Sequence, residues 1–302
     1  MRVQGKWWLW AITFLVLISN LCLAAPFDRE RVGESSVVIE RDFATVGYGQ
    51  LHYRIARPKN AQAVRFHPVV CFHQTPNSSQ VFIELMTKLA TDRVVYALDT
   101  PGLGQSDLPR SAPEVADYAQ AMAEFIQVME LESVDVIGYH TGASIAAQLA
   151  GMPETRVSHL MLVGLALFTN DEREQFFDQP WPKPIAEDGS HLLAEWQRSH
   201  QWRGAGQTDA SVIRTFVEKI QAGDRAWWGA RAVMRHDLQA VLKDLSVPTM
   251  VVNSRDDLFT ITPRIAELRP DISLVTLDQW GFGIFEVQPK RMADLARQAF
   301  EP

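Results

Sequence analysis

The sequence predicts an α/β fold: a mostly parallel, doubly wound sheet interrupted by a helical insertion. Three observations carry this. Short apolar runs recur along the chain and alternate with amphipathic stretches of helical spacing. Runs of that kind suit strands buried on both faces, as parallel strands are. Two alternating segments precede them, and a tryptophan-rich segment from about 168 to 240 breaks the rhythm.

The alternating segments are 36–41 (Ser-Val-Val-Ile-Glu-Arg) and 51–56 (Leu-His-Tyr-Arg-Ile-Ala). One apolar face and one polar face predict antiparallel, half-exposed strands. The buried strands are expected at Val69–Phe72, Val94–Leu98, Val134–Ile137, Leu160–Val163, Val247–Val252 and Ile272–Leu277. Helical spacing runs through Val81–Ala90, Val115–Met129 and Ser144–Ala150. Strand and helix in alternation imply right-handed crossovers and a sheet covered on both faces. The insertion holds Trp181, Trp196, Trp202, Trp227 and Trp228 and a Pro-Trp-Pro-Lys-Pro stretch at 180–184. It reads as a mostly helical cap, whose aromatics either roof a pocket or pack the cap onto the core.

The N-terminus differs from the rest. Arg2 and Lys6 precede an apolar run from Trp7 to Leu23, and Ala24 and Ala25 follow. Charge, apolar core and small residues in that order predict an export signal covering 1–24, with the mature domain at 25–302 and a secreted or periplasmic location. An uncleaved membrane anchor is the alternative, since the run approaches spanning length; after cleavage no membrane association is expected. Leu21 is a poor fit before a lipidated Cys22. Loss of the signal leaves Cys71 as the single cysteine, so the core must hold the domain without a disulfide. A formal charge of −7 offers no basic excess for phosphates and argues against nucleic acid as a partner.

In open α/β sheets, ligands bind beyond the carboxyl ends of the strands. After the first buried run comes His73-Gln74-Thr75-Pro76. After the second comes Asp99-Thr100-Pro101-Gly102-Leu103-Gly104-Gln105-Ser106. Gly138-Tyr139-His140-Thr141-Gly142 follows the third and leads straight into a helix. Asn253-Ser254-Arg255-Asp256-Asp257 and Asp278-Gln279-Trp280-Gly281-Phe282-Gly283 close the set. From about residue 36 to the C-terminus this order resembles the α/β-hydrolase family, and in particular bacterial hydrolase-like proteins with His-Gln-Thr-Pro and Gly-Tyr-His-Thr-Gly motifs. The first loop is similar to the family's His-Gly-x-Pro oxyanion loop, with Gln74 in place of glycine. The Gly138–Gly142 segment stands where the family has its G-x-S-x-G nucleophile elbow.

Two departures matter. The elbow residue is His140 rather than serine, and Phe282 occupies the position where the resemblance implies the catalytic histidine. Ser144, in Gly142-Ala-Ser-Ile-Ala146, imitates an elbow but falls a full turn into the next helix. The acid position is kept by Asp256, with Asp257 beside it. A relay of hydroxyl, base and carboxylate is therefore incomplete. The resemblance implies that backbone N–H groups of Thr75 and Thr141 form an oxyanion hole. His140 then serves as general base or nucleophile with Asp256 as its charge partner. His73, Asp257 and His236 are secondary candidates, His73 more as a structural residue of its loop and His236 as a replacement base from the end of the insertion. The remaining histidines show no metal-ligand spacing, and no Rossmann or Walker glycine pattern is present, so neither metal nor cofactor is expected. Three functions fit: a hydrolase of a small, fairly apolar ester, lactone or related acyl compound; a proton-abstracting lyase on the same frame; and a ligand-binding protein without turnover.

Overall fold

The computed structural model describes residues 35–301 apart from 154 and 179–184. The predicted signal segment and Trp181 lie outside these residues. Among the described residues no helix is long and apolar enough to cross a membrane.

The described residues open with a hairpin, β1 (Val37–Val46) and β2 (Gly49–Pro58). Both strands outrun the expected segments. Their register is unbroken from Val37↔Pro58 to Val46↔Gly49, so Gly47 and Tyr48 alone make the turn. Then follow β3 (Val69–Phe72), α1 (Ile83–Leu89), β4 (Val95–Leu98), α2 (Val115–Val128), β5 (Val134–Tyr139), α3 (Thr141–Ala150) and β6 (Val157–Val163). The insertion supplies α4 (Asn170–Phe177), α5 (Ser190–Gln201), α6 (Asp209–Ala222), α7 (Trp228–Arg235) and α8 (Leu238–Asp244). The sheet resumes with β7 (Thr249–Ser254), α9 (Ile265–Leu268) and β8 (Ser273–Leu277), and α10 (Ile284–Val287) and α11 (Pro289–Phe300) finish the fold. One expected helix start differs: residues 79–82 form a 3₁₀ turn ahead of α1. Helix α3 begins at Thr141, three residues before Ser144. A helix that starts directly after the elbow leaves Ser144 fully buried.

The eight strands run in the order β1-β2-β4-β3-β5-β6-β7-β8. Only β2 pairs antiparallel, with β1 and with β4; the rest of the sheet is parallel. Residues of β3–β6 are almost wholly buried because helices cover both faces. One core layer joins α2, α3 and α8 to the sheet through residues such as Phe125, Ile145 and Leu242. The other joins α1 and α11 through Leu85, Met86, Met292 and Leu295. Between β3 and β5 the winding direction reverses, the crevice where such sheets bind ligands. The pairing Phe72↔Gly138 places the loop after β3 beside the turn after β5. Tyr139↔Val163 and Val163↔Val252 then bring the ends of β6 and β7 alongside.

Candidate active site

His140 sits at the sharp turn between β5 and α3 with φ 50°. A non-glycine residue seldom adopts this left-handed region, and here the flanking glycines make it sterically feasible. A Cβ on Gly142 would lie 2.0 Å from the Phe72 carbonyl oxygen, and one on Gly138 would lie 2.5 Å from the Gly142 oxygen. The turn therefore packs directly on β3, and the imidazole projects from its apex.

The ring meets Asp256, whose side chain is fully buried: His140 Nε2 lies 3.0 Å from Asp256 Oδ2. The approach is too bent for a straight hydrogen bond, so the attraction is chiefly coulombic. Asp256 is itself fixed, accepting from Ser254 Oγ at 2.5 Å and from the Leu258 N–H at 2.9 Å. On the other side of the ring, Nδ1 lies 3.6 Å from Oδ1 of the half-exposed Asp257. Burial alone would depress the pKa of His140, but the charges of Asp256 and Asp257 outweigh it and raise the pKa above its ordinary value. Burial pushes the Asp256 carboxyl up, yet the charge of His140, with the bonds from Ser254 and Leu258, brings the net value below normal. Both shifts favour an imidazolium–carboxylate pair. His140, Asp256 and Asp257 place their donor atoms within 4.8 Å of one another, the one such group among the described residues with the composition to hold a cation.

Aromatic rings fix the remaining sides of the imidazole. Tyr139 stands edge-on at 4.6 Å, and Phe282 lies at 5.4 Å and is itself contacted by Trp202 of the cap at 5.9 Å. Phe282 thus supplies an apolar wall and no proton acceptor. Beneath the ring lies Gly164, which sequence reasoning missed. At φ +70° its added Cβ would fall 2.7 Å from His140 Cδ2. Gly164 follows β6 directly, so a search of the loop after every buried strand would have found it. Gly164→Ala is expected to cost about 1 kcal/mol or more of stability for its backbone conformation alone and to tilt the imidazole off Asp256. Imidazole chemical shifts across a pH titration would check this: an unchanged His140 pKa contradicts it.

The other sequence candidates divide. Thr75 and Thr141 both line the same cavity as His140. Thr141 is the first residue of α3, where amide N–H groups have no partner within the helix and the dipole favours negative charge. His73 and His236 are not among the residues lining that cavity. The His73 ring is buried and spans two backbone groups: Nε2 accepts from the Thr100 N–H at 2.9 Å, and Nδ1 lies 2.9 Å from the Gln74 carbonyl. It ties the loop after β3 to the loop after β4, a structural task. His236 caps the end of α7, and burial lowers its pKa. Asp99 is likewise structural. Burial opposes its ionisation, but bonds from His52 and the Ser79 N–H hold the carboxyl below its ordinary value.

The cavity measures about 750 Å³ and is walled mainly by apolar side chains of the core loops and the cap. Trp202 and Trp227 line it. Trp196 instead packs inside the cap, 5.4 Å from Phe216. The cap tryptophans therefore divide between roofing the pocket and packing the insertion. Cationic side chains of the roof have acidic partners: Lys219 and Arg198 share Glu195, and Arg214 pairs with Glu286.

A family model described as alpha/beta hydrolase fold matches residues 67–289. The chain belongs to the α/β-hydrolase fold family. Among curated relatives, an uncharacterized protein of Mycobacterium tuberculosis is 33% identical over 103 residues, covering 34% of this chain and 30% of its own. The chain thus spans about a third of that relative's length. The 2-(acetamidomethylene)succinate hydrolase of Mesorhizobium japonicum is 22% identical over 234 residues, 72% of this chain and 82% of the relative. Among solved structures, an enol-lactonase from Burkholderia xenovorans superposes with a TM-score of 0.70 at 14% identity, covering 86% of this chain and 100% of that one. Likeness at that identity establishes the fold.

Proposed function

We propose that this hydrolase-fold protein is an exported, cofactor-independent hydrolase of a small, mainly apolar ester, lactone or related acyl compound, using a His140–Asp256 dyad to activate water. The observation that carries the reading is the direct approach of His140 to the buried Asp256, at 3.0 Å. In the Ser-His-Asp arrangement the histidine bridges nucleophile and acid. Here the histidine stands at the elbow and meets the acid itself, so the missing hydroxyl is replaced by water.

Neutral His140 takes a proton from water through Nδ1, the nitrogen turned away from Asp256, and the resulting hydroxide adds to the acyl carbon. Asp256 stabilises the imidazolium that forms. The carbonyl oxygen gathers negative charge against the Thr75 and Thr141 N–H groups, donors of a kind worth roughly 3 kcal/mol each. Collapse of the tetrahedral intermediate expels the alcohol oxygen, which takes the proton back from Nδ1. Asp257, near Nδ1 and half exposed, is placed to hold the attacking water. The apolar cavity supports a mainly apolar acyl substrate.

A panel of short-chain aryl esters and lactones, followed by proton release and product mass, tests the reading. Hydrolysis with a solvent oxygen in the acid product is expected. Cleavage or rearrangement without added water would replace it with a lyase, and ligand binding without any turnover would replace it with a binding protein.

A further inference from the structure

The cap touches the loop that carries Thr75 in two places, and both contacts are unusual. The first is Glu218 on α6, a carboxylate left only 9% exposed. It accepts from three side chains of one short stretch: Asn77 Nδ2 at 2.8 Å, Ser78 Oγ at close range, and Gln80 Nε2 at 3.1 Å. Three converging donors on a buried charge form a strong, directional tie. The second is Gly229 in the first turn of α7. A Cβ there would lie 2.0 Å from Thr75 Oγ1, so the helix backbone rests directly on the Thr75 side chain. Together the contacts clamp the stretch from Thr75 to Gln80 between two cap helices.

We propose that Glu218 is a positioning residue that sets the Thr75 N–H toward the cavity, making the cap a part of the oxyanion hole rather than a passive roof. The inference rests on the oxyanion role proposed above for Thr75. A cap displaced from the core would release Asn77, Ser78 and Gln80 and with them the loop, so a substrate that seats the cap also completes the hole. Neither residue stands out in the sequence, because the tie joins segments 138–141 residues apart.

The test uses the full chain with Glu218→Ala, Glu218→Gln and Gly229→Ala, and with Asp209→Ala as a control, since Asp209 belongs to an exposed cap ion pair with Arg203. Two readouts are taken: hydrogen exchange of the amides of 74–82, and calorimetric binding of benzylphosphonate, whose tetrahedral charged oxygens imitate the oxyanion. In Glu218→Ala, exchange of that stretch is expected to rise and benzylphosphonate affinity to fall about tenfold, the scale of one lost charge-assisted bond. Glu218→Gln keeps an acceptor for Ser78 and Gln80 and should recover part of both. Gly229→Ala should weaken binding while the cap helices persist, and Asp209→Ala should change neither readout. On any ester the wild type turns over, Glu218→Ala should lower kcat with little change in KM. Unchanged exchange in Glu218→Ala, or equal weakening in Asp209→Ala, overturns the positioning role alone. A wild type that binds no benzylphosphonate overturns the oxyanion role of Thr75 itself, and the positioning role with it.

Discussion

His140→Ala is expected to lower ester hydrolysis by about 10³-fold, the usual weight of a general base, with little effect on substrate KM. The variant keeps Thr75, Thr141 and the cavity, so binding survives while water is no longer activated. Thermal unfolding and circular dichroism would confirm an intact fold, needed because residue 140 holds φ 50° in the elbow. His140→Ser sharpens the test. It returns a hydroxyl to the elbow, but Phe282 accepts no proton, so the variant should be as slow as His140→Ala. Wild-type rates in either variant would sink the dyad.

The second large effect concerns Asp256→Asn, and it appears in the pH profile as well as the rate. The base form of His140 is the neutral one, so wild-type activity should rise with pH through a midpoint above the ordinary histidine value of about 6.5. Asparagine removes the charge that most raises His140, and burial then prevails. The midpoint should move below that value while the plateau falls roughly 10²- to 10⁴-fold, since the imidazolium loses its partner. Stability follows by linkage. The raised pKa of His140 contributes stability that is complete below its unfolded value and is lost as pH rises through the folded one. The depressed pKa of Asp256 contributes above its unfolded value and is lost as pH falls through the folded one. The stability gap between wild type and Asp256→Asn should therefore be widest between about pH 4 and about pH 6.5 and narrow on either side. Denaturant midpoints across pH would show it, and a gap independent of pH would contradict the ion pair.

Element order and most of the site frame were legible in the sequence because they are local. Buried parallel strands need unbroken apolar runs, and the elbow needs Gly138 and Gly142 to clear neighbouring backbone. The departures at His140 and Phe282 were equally visible, being single residues at positions fixed by the strand before them. The helix that follows the elbow was legible as well: it begins at Thr141 and puts Ser144 a full turn inside it.

What the chain could not show by itself is which groups touch. Asp256 stands at the acid position with Asp257 beside it, and the bonds from Ser254 and Leu258 hold Asp256 buried against His140 while Asp257 stays half exposed. His73, a structural candidate of its loop, spans two backbone groups, and His236, the candidate replacement base, does not line the cavity. Gly164 and Glu218 matter only through partners brought in by sheet order and by the cap. Sequence thus determined the periodic elements, the strained turn and the identity of its apex, because each rests on short-range sterics and side-chain pattern. Tertiary structure decided the direction in which the histidine's pKa moves and the cap's hold on the loop after β3, because these depend on burial and on distances between segments far apart in the chain.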